Sequence, residues 1–410
     1  MKILLIAPMT PRSDGAGAIP VLLDAQLSGL RERHEVTLVT GVGDEPGEVE
    51  AAESLRREGI DLRVADRRRP RAVGPRWRRR RRLAGAWARG RWPWRTIWFA
   101  DPGVQAELDR LLASRRFDLI AVEDNSMSVF RLPQCIPRVL TEHEVRRPRP
   151  IEWHSARRPG HWPRWAFDEL DWRRWRSFQC DAWRRFDLVQ AFSERDAEAI
   201  AELAPEVAAR VRVNPFGLAP PPAADPAREQ AGTILFVGNF THPPNRDAAL
   251  WLTREILPAV RTRAKHARLL LVGSAPPAEV RALAGPNVEV VADAPSVLPH
   301  LEAASVVLAP VRSGGGMRMK VLHALASGKA VVTTRRGAAG YLDGGRTPPF
   351  TIAEDSAGIA RATADLLADD RRRRELGRQA REFAIARHSP AAWAARLDAV
   401  YEEARRAHGG

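Results

Sequence analysis

Residues 304–334 read ASVVLAPVRSGGGMRMKVLHALASGKAVVTT, and this stretch decides the fold of the second half of the chain. Its first apolar run predicts a buried strand, after which Gly314 to Gly316 turn the chain into an amphipathic helix that ends at Gly328. Arg318 and Lys320 stand at the start of this helix, so backbone amides and two cations converge where a diphosphate would bind. A flexible turn followed by two solvated charges is the alternative. Three consecutive glycines at a strand end favour the phosphate site.

The same architecture recurs along the whole sequence. Short apolar runs alternate with amphipathic stretches, which is the pattern of a parallel sheet with crossover helices. Uninterrupted runs such as ILLIA at residues 3–7 indicate strands that are covered on both faces. The predicted strands of the first half are KILLIAP, EVTLVT, IDLRVAD, FDLIAVED, PRVLTEHE, FDLVQAF and RVRVNPFG, and those of the second half are TILFVGNF, ARLLLVGSA, VEVVAD, ASVVLAPV and AVVTT.

A segment without periodicity separates the two series of strands. Residues 215–232, PFGLAPPPAADPAREQAG, are rich in Pro, Ala and Gly and predict an interdomain linker. The sequence therefore predicts a Rossmann-like domain at 1–214, a second one at 233–389 and a C-terminal helix within 390–410, for which packing back on the first domain is one option. The predicted fold class is α/β, with two Rossmann-like domains facing across a ligand cleft at the carboxyl ends of their strands.

Composition narrows the class of protein. With 410 residues, 44% hydrophobic and 28% charged, the chain resembles a globular protein, and it has no uninterrupted apolar run of the roughly 20 residues that a membrane span needs. The opening MKILLIAPM mimics a secretory signal, but it is short and lacks a small-residue cleavage site, so it predicts a first strand. Cys135 and Cys180 are far apart and support neither a disulfide framework nor a zinc site. We expect a cytoplasmic protein.

The net charge of +15 comes from one segment. Between Arg67 and Arg95 there are thirteen arginines and no Asp or Glu. A solvated loop is one interpretation, and nucleic-acid binding is a weaker one. Basic residues mixed with indoles also suit the surface of an anionic bilayer, which would place the protein at the inner face of the membrane. The interleaved tryptophans are Trp77, Trp87, Trp92, Trp94 and Trp98.

The first βα turn repeats the glycine signal more weakly. Gly15 and Gly17 stand just before a predicted helix, where glycine lets the backbone approach a ligand and the helix start offers free amides. Many parallel-sheet proteins use glycine only to turn the chain. Both interpretations stay open at this turn.

At this point the sequence resembles family 4 of the glycosyltransferases, which includes bacterial group 1 type sugar transferases with the GT-B fold. The matching motifs, in the expected order, are the glycine turn of the first strand, HEVTLVT, LTEHEV, VRVNPFGL and GGGMRMKVLHALASGKAVV. VGNFTHPPNRDAALWL and LPHLEAASVVLAP look like a subgroup of bacterial sugar transferases. The resemblance covers nearly the whole chain apart from about residues 67–99 and 152–185, which would be acceptor-side insertions.

The resemblance implies a reaction and a site. The enzyme would transfer a hexose from a nucleotide-diphosphate sugar with UDP, GDP or TDP, with retention of anomeric configuration and without a metal or other cofactor. His143 would be the catalytic residue beside the transferred sugar, although a structural histidine is the alternative. Arg318 and Lys320 would neutralise the departing diphosphate. The implied donor-binding residues are Gly15, Gly17, Arg246, Gly314, Gly315, Gly316, Met317, Arg318, Lys320 and His323. On the acceptor side we expect Glu144, Trp165 and Trp172.

The sequence departs from the family pattern in the donor helix. The family usually has a glutamate where this chain has His323, and often another where it has Gly315. The later glutamate grips the nucleotide ribose, and a neutral imidazole can accept at only one nitrogen. We therefore expect either a weaker ribose contact or a deoxynucleotide donor such as a TDP-sugar. The family also has a pair of basic residues after the first strand of the second domain. This pair is incomplete here, because Arg246 is near the expected place while Asn239 and Asn245 are neutral.

Other functions remain to be separated from this one. Eleven of the thirteen tryptophans lie between Trp77 and Trp183. Those of the second insertion would be core residues or would line an aromatic acceptor cleft, namely Trp165, Trp172, Trp175 and Trp183. A catalytically weak binding module, associated with an anionic membrane or nucleic acid, is the alternative function. A nucleotide-sugar epimerase would need its own acid and base carboxylates, and no spacing supports them.

Overall fold

The computed structural model describes residues 1–13, 17–43, 47–66, 81, 83–90, 92–147, 162–342 and 348–408, except the side chains of Asp66 and of residues 162–165. The chain divides into two compact units. The first comprises residues 1–214 and 394–410, and the second comprises residues 215–393.

The first unit is built on a sheet of seven parallel strands in the order β3-β2-β1-β4-β5-β6-β7. The strands are β1 (Lys2–Ile6), β2 (Glu35–Val42), β3 (Asp61–Asp66), β4 (Leu119–Glu123), β5 (Arg138–Glu142), β6 (Leu188–Ala191) and β7 (Val211–Val213). Every residue of β4 is buried, as are the four after Lys2 in β1. Such uninterrupted apolar runs suit strands that helices cover on both faces.

The helices of the first unit are α1 (Ala18–Arg31), α2 (Glu48–Arg57), α3 (Trp94–Phe99), α4 (Pro102–Ser114), α5 (Trp162–Arg184) and α6 (Glu194–Leu203), with 3₁₀ segments at Asn125–Val129 and Pro205–Arg210. Their apolar sides bury one cluster against the sheet. It includes Leu4, Ile120, Val122 and the fully buried Trp183 of α5.

The second unit repeats the plan with six parallel strands in the order β10-β9-β8-β11-β12-β13. The strands are β8 (Thr233–Val237), β9 (Arg268–Gly273), β10 (Val288–Ala292), β11 (Val306–Ala309), β12 (Ala330–Thr333) and β13 (Thr351–Ile352). The helices are α7 (Pro243–Trp251), α8 (Leu257–Arg261), α9 (Ala278–Arg281), α10 (Leu298–Ala303), α11 (Met319–Ala326), α12 (Ser356–Ala368) and α13 (Asp370–His388). A further helix, α14 (Pro390–His408), begins in this unit and continues in the first.

A π-helical turn, Leu252–Ile256, joins α7 to α8. Pro258, two residues after this turn, explains the irregularity, because proline has no N–H to donate and its ring excludes the carbonyl group four residues back. The predicted helix of this region is therefore present with a widened turn in its middle.

Strand order reverses once in each sheet. β1 lies between β2 and β4 in the first unit, and β8 lies between β9 and β11 in the second. In open α/β sheets, the connections that follow the two strands beside such a reversal lead to opposite faces of the sheet. This leaves room for a ligand at the carboxyl ends of those strands. A ligand site is therefore expected at the ends of β1 and β4, with β5 next to them, and at the ends of β8 and β11.

Residues 215–232, which were predicted to be an interdomain linker, belong to the second unit. The amide of Leu218 donates to the carbonyl of His388, and that of Ala224 donates to the carbonyl of Ser327. The amide of Gln230 likewise donates to the carbonyl of Ala303. The segment lacks periodicity because it follows the surface of the unit, where neighbouring carbonyl groups satisfy its amides.

Residues 394–408 of α14 pack on the first unit. Leu397 and Tyr401 are fully buried there. The exposed side of the helix is also tied to the unit, since Glu403 pairs with Arg212 and Asp398 pairs with Arg33.

The predicted α/β fold class with two Rossmann-like halves is confirmed, and the twelve predicted strands are present. Gly328 follows the last helical residues of α11 with a φ of 77°, as the predicted C-terminal cap requires. β13 was not predicted, because two residues carry no periodicity. Within the described ranges, no helix is both long and apolar enough to cross a membrane.

Candidate functional site

The loop between β11 and α11 turns at glycines with positive φ angles. Gly314 and Gly316 have φ angles of 87° and 74°, a region in which residues with a Cβ atom are strained. A Cβ atom on Gly314 would also lie 3.0 Å from Nη2 of Arg318. Gly314 therefore allows both the turn and the close approach of the guanidinium.

Arg318 caps α11 and folds over this loop. Its Nη2 donates to the carbonyl of Ser313 at 3.2 Å, and its own carbonyl accepts from the hydroxyl of Tyr341 at 2.7 Å. A second guanidinium approaches the same turn, because Nη1 of Arg336 donates to the carbonyl of Gly314 at 3.2 Å. Two cations and the start of a helix thus surround the glycine loop.

Lys320 lies beside Asn245 and the Phe236 ring. Its Nζ donates to Oδ1 of Asn245 at 2.6 Å and lies 4.2 Å from the centroid of the Phe236 ring. Burial, followed by the positive charge of Arg318, holds the pKa of Lys320 well below its ordinary value. An anion bound beside Lys320 would raise this pKa, since a neighbouring opposite charge favours the charged state.

The neutral residues of the incomplete basic pair have structural partners. Asn245, at the start of α7, accepts from Lys320 and donates to the carbonyl of Asn239 at 2.7 Å. Arg246 lies next to it and contacts Glu279 at 3.4 Å, while its buried Nε has no hydrogen-bond partner among the described residues. Asn245 therefore holds the lysine in place, and Arg246 lies on the adjacent position of α7.

His323 is partly buried in α11, and burial lowers its pKa. The imidazole is therefore neutral at pH 7, with one nitrogen able to donate and the other able to accept. Met317 and Gly316 are buried at the end of the loop, while Gly315 is partly buried.

In the first unit, acidic and basic side chains gather where β4 and β5 end. Nε2 of His143 lies 3.0 Å from Oε2 of Glu123, and the two side chains are only 7% and 1% exposed. The His143 ring also meets Phe192 edge-on, with 5.3 Å between centroids. Its Nδ1 is buried and has no hydrogen-bond partner among the described residues.

Asp124 follows Glu123 and has a strained backbone. Its φ of 68° is rare for a residue with a side chain, and such strain concentrates at functional sites. Burial on its own raises the pKa of Asp124, but Arg95, His143 and Ser126 together hold it below its ordinary value. Arg95 makes the ion pair, with its Nη2 at 3.3 Å from Oδ2.

Glu142, the last residue of β5, has the opposite character. Burial, followed by the charge of Asp124, raises the pKa of Glu142 to about 8. The carboxyl group accepts from Nδ2 of Asn125 at 2.8 and 3.0 Å and from Nε1 of Trp183 at 2.8 Å. It joins the 3₁₀ segment and α5 to the strand end that carries His143.

Residues 231–369 match the family model described as Glycosyl transferases group 1. They form a glycosyl transferase group 1 domain. This range lies in the second unit and contains the glycine loop, Arg318, Lys320 and His323. No curated protein sequence matches the chain.

Solved structures show the fold of the whole chain. The Anabaena protein HepE, crystallised with UDP and glucose, is 14% identical, with a TM-score of 0.64 and coverage of 98% of this chain and 99% of that chain. Sucrose-phosphate synthase from Thermosynechococcus elongatus is 18% identical, with a TM-score of 0.65 and coverage of 98% of both chains. The N-terminal domain of Candida albicans trehalose-6-phosphate phosphatase is 11% identical, with a TM-score of 0.64 and coverage of 98% and 97%. This chain has the GT-B fold, and its group 1 domain is the second of two Rossmann-like halves.

The structure brings the sequence-predicted residues together in two sets. The group 1 domain holds the glycine loop, Arg318 and Lys320 side by side, with Arg246 on the helix that supplies Asn245. His143 lies in the other unit at the end of β5. Gly17 precedes α1 with a φ of 127°, while Gly15 lies outside the described residues.

The predicted acceptor residues differ in exposure. Glu144 is exposed, Trp172 is partly buried, and the side chain of Trp165 lies outside the description. Trp175 and Trp183 are buried, so the core interpretation is confirmed for these two. Among the residues that the structure describes, no group of three or more His, Cys, Asp or Glu side chains could hold a metal ion.

Sequence reasoning missed Glu123, Asp124 and Glu142. The signal was present, because the predicted strands FDLIAVED and PRVLTEHE end in Glu-Asp and Glu-His. β4 and β5 are parallel neighbours, with Glu123 opposite Thr141, so both polar ends reach the same edge of the sheet. Predicting that Glu123 and His143 lie together requires knowing that β4 and β5 are neighbours in the sheet, and neither sequence motif gives the strand order.

Proposed function

We propose that this protein is a glycosyltransferase that moves a sugar from a nucleotide-diphosphate sugar to an acceptor. The observation that carries the proposal is the position of Arg318 and Lys320 around the glycine loop of the group 1 domain. Backbone amides at a helix start and two cations match the charge of a diphosphate. UDP, GDP and TDP are the candidate nucleotides.

The leaving diphosphate is where negative charge develops during sugar transfer. Groups placed there in advance stabilise the transition state without reorganising. Arg318, Lys320 and the amides of the loop supply this stabilisation, so we propose a metal-independent hexosyl transfer. Retention of anomeric configuration follows from the resemblance to glycosyltransferase family 4, which we also propose as the family of the chain.

His143 is the proposed catalytic residue. Its buried Nδ1 is a polar atom without a hydrogen-bond partner among the described residues, and Glu123 orients the opposite nitrogen. A sugar hydroxyl or leaving oxygen beside Nδ1 would complete its hydrogen bonding. Glu144 and Trp172 are proposed on the acceptor side, where the acceptor is a natural product, a lipid-linked sugar or a cell-envelope glycan.

Thermal denaturation with UDP, GDP and TDP tests the donor site, with AMP as a control that lacks the diphosphate. A nucleotide at about 100 times its dissociation constant should stabilise the protein by roughly 2.7 kcal/mol. Release of free sugar from the corresponding nucleotide sugar then tests turnover. Stabilisation by none of the three, with no sugar released, contradicts the proposal. Stabilisation without turnover on any tested acceptor favours the binding-module alternative.

We also propose that the protein is a peripheral membrane protein of the bacterial cytoplasm. Trp92 and Leu170 are each 42% exposed, and Trp94 and Phe167 are each 36% exposed. Two of these side chains meet across the two insertions, since the Phe167 ring lies 6.4 Å from that of Trp94. Most of the arginine-rich segment before Trp87 lies outside the described residues. Its charge, together with exposed indoles, suits an anionic bilayer surface.

The insertions are held to each other by polar contacts as well. Oδ1 of Asp171 accepts from Nε1 of Trp87 at 2.9 Å and from the amide of Trp94 at 2.7 Å. The Arg174 guanidinium lies 4.2 Å from the centroid of the Trp87 ring.

Vesicle flotation tests the membrane proposal: binding should favour anionic over neutral vesicles and should weaken with salt. Equal partition contradicts it, and preference for DNA over vesicles supports the nucleic-acid alternative.

A further inference from the structure

Glu123 is bonded on both of its oxygens. Its Oε2 faces Nε2 of His143 at 3.0 Å, and its Oε1 accepts from Nε2 of Gln26 at 2.7 Å and from the hydroxyl of Thr141 at 2.8 Å. A carboxylate has only acceptor sites. The nitrogen of His143 that faces Glu123 must therefore carry its proton, which leaves Nδ1 as the acceptor of the ring.

A chain of hydrogen bonds leads from this carboxylate to α14. Nε2 of Gln190 donates to the Thr141 hydroxyl at 2.5 Å, and Nδ2 of Asn214 donates to Oε1 of Gln190 at 3.0 Å. Nε of Arg396 donates to Oδ1 of Asn214 at 3.0 Å. The three residues between the two ends are buried, and every member of the chain belongs to the first unit.

The direction of this chain follows from its cationic end. A guanidinium only donates, so Asn214 must turn its oxygen to Arg396 and its NH₂ group to Gln190. Gln190 must then turn its own NH₂ group to Thr141. The Thr141 hydroxyl accepts from Gln190 and sends its proton to Glu123. All donors therefore point from Arg396 toward Glu123.

We propose that Glu123 is the positioning residue of His143 and that Arg396, acting through Asn214, Gln190 and Thr141, fixes the direction of the hydrogen bonds that reach it. The result is a single imidazole tautomer with Nε2 protonated and Nδ1 free to accept from a substrate. The catalytic role of this tautomer rests on the proposed glycosyl transfer. The tautomer itself can be measured without any substrate.

The Glu123→Gln variant gives the sharpest test. The Thr141 proton and the NH₂ group of Gln26 still point at the same end of this side chain, so the glutamine must turn its oxygen to them and its NH₂ group to His143. Nε2 of His143 must then accept, and the proton moves to Nδ1. Nitrogen-15 NMR at pH 8, with His143→Ala to assign the signal, should show a protonated Nε2 in the wild type and a protonated Nδ1 in the variant. The same tautomer in both proteins overturns the proposal.

Arg396→Met tests the far end of the chain and needs no change beside His143. Arg212→Met is its matched control. Arg212 also ties α14 to the unit, through Glu403, and although its backbone pairs with Gln190, its guanidinium makes no hydrogen bond to Thr141, Gln190 or Asn214 among the described residues. We expect Arg396→Met to lower kcat by about 2- to 30-fold at unchanged donor KM, the scale of a residue that acts through a packed network. Because Gln26 donates to the same oxygen as Thr141, the tautomer shift should become incomplete only when Glu123→Gln is combined with both Arg396→Met and Gln26→Leu.

The activity outcomes separate the two proposals. Glu123→Gln should lower kcat by about 100-fold with little change in donor KM, because the ring presents the wrong atom. A tautomer shift in a protein that transfers no sugar supports the hydrogen-bond chain and contradicts the proposed function. Equal losses of kcat in Arg396→Met and Arg212→Met would mean that loosening α14 is sufficient, and would overturn the role of Arg396.

Discussion

Replacing Lys320 with methionine should weaken nucleotide binding without destabilising the protein. Methionine keeps the length of the side chain and removes its charge and its hydrogen bond to Asn245. The ammonium group of Lys320 is disfavoured by burial and by Arg318 in the nucleotide-free protein. Replacing buried charges by apolar side chains is often neutral or stabilising, so we expect the free energy of unfolding to stay unchanged or to rise by up to about 2 kcal/mol.

Nucleotide affinity should change in the opposite direction. A charge-assisted hydrogen bond contributes about 1.5 to 3 kcal/mol, which corresponds to a loss of about 10- to 150-fold in the affinity for the nucleoside diphosphate. Isothermal titration calorimetry measures this loss. Because a bound diphosphate raises the pKa of Lys320, binding to the wild type should take up a proton at pH values between the pKa of the free protein and that of the complex. Uptake is detected as a dependence of the heat on the buffer. The variant should show no such uptake.

The pH dependence of stability gives an independent check. The pKa of Lys320 is lowered in the folded chain, so the unfolded chain binds more protons between that value and about 10.4. Stability conferred by this group therefore rises as pH increases through that window and is lost as pH falls through the lowered pKa. This contribution should be absent from Lys320→Met.

Lys329 supplies the matched control in the same unit. Burial also lowers its pKa, but its Nζ donates to the carbonyls of Glu302 and Ala304, at 3.0 and 2.8 Å, next to the start of β12. Lys329→Met leaves these carbonyls without a donor and should cost about 1 to 3 kcal/mol of stability at unchanged nucleotide affinity. The reasoning is refuted if Lys320→Met binds every nucleotide as tightly as the wild type.

Three further predictions concern other parts of the molecule. His143→Ala should lower kcat by about 100-fold or more at unchanged donor affinity, and a normal kcat would make the histidine structural. His323→Ala should raise donor KM by the equivalent of about 1 to 3 kcal/mol at unchanged kcat, while His323→Glu should improve UDP- and GDP-sugars over TDP-sugars. Because burial lowers the pKa of His323, wild-type donor affinity should fall only as pH drops below about 6.5. A Trp92→Ser/Trp94→Ser protein should float less with anionic vesicles than a Leu298→Ser control, and equal flotation would contradict the indole contact.

The structure of the glycine loop was predictable because its information is local. Gly314 to Lys320 span seven consecutive positions, and the apolar strand before them and the helix after them fix their geometry. Strand periodicity likewise identified both sheets, since uninterrupted apolar runs are the signature of covered parallel strands. The C-terminal cap at Gly328 follows from the same local logic.

The surroundings of His143 were not predictable in this way. Glu123 is twenty positions earlier in the chain, and only the pairing of β4 with β5 brings the two together. Arg396 is 182 positions from Asn214 and reaches it only because α14 packs on the first unit. The tryptophans show the same limit. Trp183 is buried because its indole donates to Glu142, a partner that helical spacing cannot reveal.

Hydrogen bonding distinguishes the side chains that support Lys320 and His143 from the proposed catalytic atom, Nδ1 of His143. A buried polar atom without a partner costs about 1 to 3 kcal/mol, so folded proteins retain few of them. Glu142 and Glu123 have donors on both oxygens, and Asn245 uses both its oxygen and its nitrogen. Among the described residues, Nδ1 of His143 has no such partner, although the rest of its ring is held by Glu123 and Phe192. His143 is thus held through Nε2 and its ring while Nδ1 is left as an acceptor, which is the arrangement expected of a side chain whose last hydrogen bond is made with a substrate.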